Sequence, residues 1–187
     1  NIGARINAMA VPAGKEDTIY IGYALGGIFR TYDGGSTWED IFENEERLSI
    51  GAIAINPEND QNIYAGTGDR NLVSLYRIGD GVYKSNDGGD TWTNIGLGDT
   101  RIISDIDIDP TDTNIIYVSA MGLPSVPDTN RGVYKSIDGG TTWTHILHIN
   151  DSSGVNNLVV NPNNPNILYA SGWTRIRTNQ ASIVSGS

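Results

Sequence analysis

One carboxylate recurs in one phrase. The chain reads TYDGGSTW at 31–38, SNDGGDTW at 85–92 and SIDGGTTW at 136–143. An aspartate beside paired glycines suits either acid–base work or a tight turn. Hydrolysis by acid and base takes one opposed carboxylate pair, not three equivalents spaced along a chain. The turn reading uses every residue. Asp33, Asp87 and Asp138 can accept hydrogen bonds from backbone N–H groups two or three residues on. Gly35, Gly89 and Gly140 tolerate positive φ. Trp38, Trp92 and Trp143 then cover each turn with an apolar face. These nine residues are therefore expected to be structural.

Two further groupings could bind a metal. His145 and His148 have the i, i+3 spacing of ligands on a helix, but they fall on a strand and its exit, where side chains alternate between faces. An exposed polar role is expected for them. DIDID at 105–109 places Asp105, Asp107 and Asp109 on one strand face. Like charges so spaced repel unless a cation or an arginine intervenes. Calcium near Asp105 and Asp107 is the one cofactor expectation, and no other metal site is expected. Asp109 also belongs to a recurring turn before proline. The positions matching Asp107 elsewhere are Ala10, Ala54 and Val159, which excludes an ion site shared by all repeats.

The elements that position these residues repeat as well. AIAINPENDQNIYAG, DIDIDPTDTNIIYVS and NLVVNPNNPNILYAS recur in the same phase as the Asp-Gly-Gly phrase, with a weaker copy, AMAVPAGKEDTIYIG, near the start. The period of about 50 residues and the short alternating strands read as four-stranded β-propeller blades. Each repeat holds IGAIAI-like, NIYAG-like and GVYKS-like strands, and a fourth strand starting at the Trp. An Asn-Pro or Asp-Pro turn separates the first two, since Pro cannot continue a central strand. The approximate repeats are 5–48, 49–101, 102–150 and 151–187, the last truncated in the link after Trp173. The expected fold is all-β: about three and a half blades of one partial propeller across 1–187, forming an open arc that the rest of a longer polypeptide completes.

Strand order then separates two faces. The Asp-Gly-Gly turns lie on one. The links between strands two and three, and between blades, lie on the other. These links vary in length, and insertions in repeat proteins gather on the binding face. Tyr23, Glu46, Arg47, Asp69, Arg70, Tyr76, Trp173 and Arg175 fall there. Aromatics beside carboxylates and arginines suit a glycan or a polar protein contact.

The phrase S/T-x-D-G-G-x-T-W resembles the Asp box, or BNR repeat. The phrasing around GGIFRTYDGGSTW and INPENDQNIYAGTGD is most similar to the sortilin-like proteins and the family 74 xyloglucan-cleaving glycosidases. The resemblance implies an exported β-propeller. In those glycosidases the first catalytic aspartate comes two residues before a Gly-Gly pair in the opening blade. The matching residue in YALGGIFR is Ala24, which cannot carry a proton, and the second acid lies beyond this chain. ARINAM also lacks the proline of the sialidase Arg-Ile-Pro signature. No catalytic residue is therefore expected within the chain.

Charge narrows the partners. The 187 residues carry a formal net charge of −10 and no cysteine. Nucleic acid and anionic lipid are disfavoured as partners, no disulfide framework exists, and no apolar run approaches a membrane span. NIGARINAMAV lacks the basic start and apolar stretch of a signal peptide, so export implies that a leader was removed or lies outside the sequence. The expected function is a binding or interaction module of a larger secreted or cell-surface protein of bacterial origin. The alternative is a xyloglucanase-type glycosidase whose catalytic residues lie partly outside this chain.

Overall fold

A computed structural model describes residues 5–71, 77–177 and 182–186, the last stretch as backbone. The chain forms four antiparallel sheets in sequence order. The first holds β1 (Ile6–Ala10), β2 (Ile19–Tyr23), β3 (Ile28–Thr31) and β4 (Glu39–Asp40). The second holds β5 (Ile50–Ile55), β6 (Ile63–Thr67), β7 (Val82–Ser85) and β8 (Thr93–Asn94). The third holds β9 (Ile103–Ile108), β10 (Ile116–Ala120), β11 (Gly132–Ser136) and β12 (Thr144–Leu147). The fourth holds β13 (Ser153–Val160), β14 (Leu168–Arg177) and β15 (Ser182–Gly186). First strands stand side by side, β1 against β5, β5 against β9 and β9 against β13. The blades thus follow one another along an open arc, as part of a propeller.

The core lies between blades rather than within them. Tyr20, Ile28 and Phe42 pack with Ile50, Ile63, Ala65 and Tyr83 of the next blade. Ala52, Tyr64 and Val82 pack in turn with Ile103, Ile106 and Ile116. Tyr117 and Val133 meet Val155, Leu158 and Val160. Two glycines make this approach possible. A Cβ on Gly22 or Gly66 would overlap Ile50 or Ile103 of the following blade. Among the described residues none covers the following side of the last blade. Tyr20 and Tyr64 are 2% and 1% exposed, whereas their counterpart Tyr169 is 59% exposed.

In all three copies the Asp-box carboxylate is hydrogen-bonded within its own turn. One Asp87 carboxylate oxygen accepts from the Ser85 hydroxyl at 2.7 Å and the Thr91 N–H at 2.9 Å, and the other accepts from the Thr91 hydroxyl at 2.6 Å. Asp33 and Asp138 repeat the pattern with Thr31, Thr37, Ser136 and Thr142. The leading backbone donor sits four residues on, with a lesser one three residues on. Hydrogen bonds to the charged form, led by those from Thr37, Thr91 and Thr142, hold the three carboxyls down to about 2.

The turns also clasp the preceding blade. Tyr20 and Arg30 donate to the Gly88 carbonyl at 3.0 and 2.6 Å. Tyr64 and Lys84 donate to that of Gly139 at 3.4 and 3.2 Å. Trp92 and Trp143 reach back to the carbonyls of Ile41 and Ile95. In the first blade Trp38 bonds, among the described residues, only within its own turn, to the Gly35 carbonyl. The second glycines, Gly89 (φ +102°) and Gly140 (φ +93°), also face Ile41 and Ile95, where a Cβ would crowd in.

Three expectations need correction. The fourth strands begin one residue after the Trp, whose indole N–H bonds back to a carbonyl of its own turn (Trp38) or of the preceding blade (Trp92, Trp143). The link expected from Trp173 onward is instead a hairpin: β14 runs on to Arg177 and β15 pairs with it, Trp173 opposite Gly186 and Arg177 opposite Ser182. His145 and His148 do not diverge. β12 ends at Leu147, and the two rings lie 5.9 Å apart.

Candidate functional site: the loop face

Each first strand opens onto the loop face with one unpaired residue. Register shifts against the second strand fall at Asn7, Gly51, Ser104 and Asn156, the same phase in all four blades. Such bulges twist the strand and re-aim the side chains around them. The link leaving β6 crosses this row. Asp69 is buried and receives Arg5 at 2.5 Å, Asn7 at 3.3 Å and the Asn71 N–H at 3.2 Å. Asn71 donates to Asn7 at 2.7 Å, and Arg70 donates to the Ser104 carbonyl at 3.0 Å. Arg175 reaches the Asn71 carbonyl at 3.4 Å. Residues 69–71 therefore tie the inner ends of all four blades together.

Trp173 and Arg175 stand side by side at the C-terminal end of this cluster. The guanidinium lies over the indole, 5.0 Å from its centroid, and the indole packs on Ile102 and Met121. Among the described residues the buried Arg175 Nε–H has no hydrogen-bond partner. Burial, then the neighbouring Arg177, push the Arg175 pKa down, and Asp69 partly opposes them.

A second feature lies at the junction of the first two blades. Leu25, Gly26, Glu46, Arg47, Leu48, Ser49, Arg77 and Ile78 line a groove of about 360 Å³. Leu25, Leu48 and Ile78 expose apolar surface beside the Glu46, Arg47 and Arg77 side chains. The Ser49 hydroxyl is buried in its wall with no hydrogen-bond partner among the described residues. An orphaned buried hydroxyl is costly unless a ligand or water satisfies it. The backbone connects groove and cluster, since the Asp69 N–H donates to the Arg77 carbonyl at 2.8 Å. Glu46 is the one carboxylate among the groove's described lining residues. It suits hydrogen bonding to hydroxyls, but it lacks the opposed partner of a hydrolytic pair.

The structure thus divides the residues singled out from the sequence. Asp69, Arg70, Trp173 and Arg175 share the inner cluster. Glu46 and Arg47 line the groove. Tyr23 joins neither by direct contact; its ring meets the edge of Phe29 at 5.5 Å. Tyr76 lies outside the described residues. Ala24 is buried and donates its N–H to the Arg5 carbonyl at 2.8 Å. Arg5, Asn7, Asn71 and Ser49 were not foreseen. The repeat alignment could have pointed to Asn7, which sits at the phase of Gly51 and Ser104.

The aspartates expected to attract calcium already have partners. Asp105 accepts from the Leu158 N–H and the Asn157 amide, both at 3.1 Å. Asp107 accepts from the Val160 N–H at 2.8 Å. Both carboxylates therefore fasten the inner strand of the third blade to that of the fourth. Burial pushes the Asp105 carboxyl up despite these bonds. Asp109 accepts from Thr111 within its turn, at 2.8 Å. Among the described residues no group of three or more His, Cys, Asp or Glu side chains converges as a metal site would require.

Residues 26–148 match the family model described as Sortilin, neurotensin receptor 3 (Sortilin-Vps10). The chain belongs to the Sortilin-Vps10 family. Its curated relatives include xyloglucanase Xgh74A of Acetivibrio thermocellus, 30% identical over 142 residues, which cover 64% of this chain and 16% of the relative. A xyloglucanase of Hypocrea jecorina is 28% identical over 160 residues, covering 71% and 18%. The chain therefore spans less than a fifth of the curated relatives it matches. Among solved structures, an ancestral GH74 enzyme superimposes with a TM-score of 0.73 at 26% identity, over 93% of this chain and 23% of that one. The Niastella koreensis GH74 enzyme gives 0.69 at 20% identity, over 97% and 30%, a likeness of fold. Among the described residues no helix is long and apolar enough to cross a membrane.

Proposed function

We propose that these blades are the glycan-binding part of a secreted, xyloglucanase-like propeller protein whose further blades complete the ring. The unsatisfied Ser49 hydroxyl in the wall of an amphipathic groove carries this reading. Sugars present apolar ring faces and dense hydroxyls. Leu25, Leu48 and Ile78 suit the first; Glu46, Arg47, Arg77 and Ser49 suit the second. The relatives named xyloglucanases favour a glycan over a protein ligand. They also support hydrolysis by the whole protein as a second reading. Ala24 stands where the resemblance puts the first acid, so any such chemistry draws its acid and base from other positions.

The test is affinity for xyloglucan oligosaccharide, measured by calorimetry on the protein and its Ser49→Val and Arg47→Ala variants. Loss of one or two hydrogen bonds weakens binding roughly three- to thirtyfold. Unchanged affinity in both variants contradicts the reading.

A further inference from the structure

We infer that Arg175 forms a carboxylate subsite at the inner end of the loop face, so that the glycan carries an isolated uronic acid. This rests on the glycan reading above and deepens it. The guanidinium charge is poorly compensated where it stands. Among the described residues its one hydrogen bond is the 3.4 Å contact to the Asn71 carbonyl, and its Nε–H is buried with no partner there. The nearest acid, Asp69, is already engaged by Arg5 at 2.5 Å. Arg70, the other nearby cation, is held on the Ser104 carbonyl.

Burial and Arg177 both oppose the charge on Arg175. A bound anion would reverse that balance. The Nε–H and the adjacent Nη2–H form one planar edge, which matches the two oxygens of a carboxylate side-on. Trp173 lies beneath the guanidinium, its ring centroid 5.0 Å away. The net charge of −10 decides what kind of acid the site takes. Glu43, Glu46 and Asp99 are exposed on the links that build this face, so a polyuronate would meet repulsion along its length. A mostly neutral glycan with one acidic branch meets a single positive subsite instead.

The experiment compares a glucuronate-substituted oligosaccharide with its carboxyl-reduced counterpart by calorimetry at neutral pH. The protein is expected to bind the acidic form about tenfold more tightly, since a bidentate charged pair contributes on that scale. The preference should shrink as salt rises. Arg175→Gln is expected to bind both forms equally. Arg175→Lys, which keeps the charge without the planar edge, should retain only part of the preference. Thermal unfolding of each variant separates a lost subsite from a lost fold; if Arg175→Gln does not fold, Arg175→Lys decides. Equal affinity of the unaltered protein for both forms overturns this proposal and leaves the glycan reading standing. Binding of neither overturns both. A preference matched by free sulfate or phosphate competing at the same concentration overturns the assignment to uronate.

Discussion

The indole nitrogen of Trp92 donates to the carbonyl oxygen of Ile41, 51 residues earlier, at 2.8 Å. The last residue of one Asp-box turn is thereby fixed to the preceding blade, and Trp143 does the same to Ile95 at 2.9 Å. The motif closes a local turn and also fastens neighbouring blades.

Trp92→Phe removes the donor and leaves the Ile41 carbonyl unpaired. We expect a loss of about 1–2 kcal/mol by chemical denaturation. Trp38→Phe is the control: its bond stays within its own turn and the ring is half exposed, so the loss should be nearer 0.5 kcal/mol, roughly the scale of surface changes. Equal losses would mean that the contact between blades adds nothing.

Gly66→Ala sets a methyl against Ile103 of the next blade. Overpacking of this kind costs ~1–3 kcal/mol. The midpoint of denaturation should fall by that energy divided by the m-value. An unchanged midpoint would show that the blades can separate without penalty.

The Asp-box carboxyls titrate at about 2 in the fold, below their ordinary value of 3.8. Their contribution to stability is complete above the unfolded value and is lost as pH falls toward 2. Asp105 runs the other way. Burial raises its pKa, so its charge opposes folding at neutral pH, and protonation relieves that cost. Net stability should fall between pH 4 and 2. An Asp87→Asn variant should show a shallower fall, and a slope identical to that of the unaltered protein would contradict the assignment.

Much of the fold was legible because one unit recurs. A period near 50 residues, proline turns and GVYKS-like strands gave the blades and the two faces directly. The partners of the turns were not legible. Trp92 and Ile41 meet only once two blades pack, and no spacing within a repeat encodes that. The β14–β15 hairpin was hidden for a related reason: aligned with its siblings, Trp173 onward falls where the other blades have a link. The residues of the candidate loop-face cluster were legible in part. Asp69, Arg70 and Arg175 stood out as charges in variable links. Ser49 did not, because a serine gains meaning there only when burial leaves its hydroxyl unpaired.

The central claim is that ligand binds the loop face and not the Asp-box face. Hydrogen exchange of the protein with and without xyloglucan oligosaccharide tests it most directly. The account predicts added protection at 25–27, 46–49 and 77–78, with no change at 31–38, 85–92 or 136–143. Protection confined to those three Asp-box turns would contradict it.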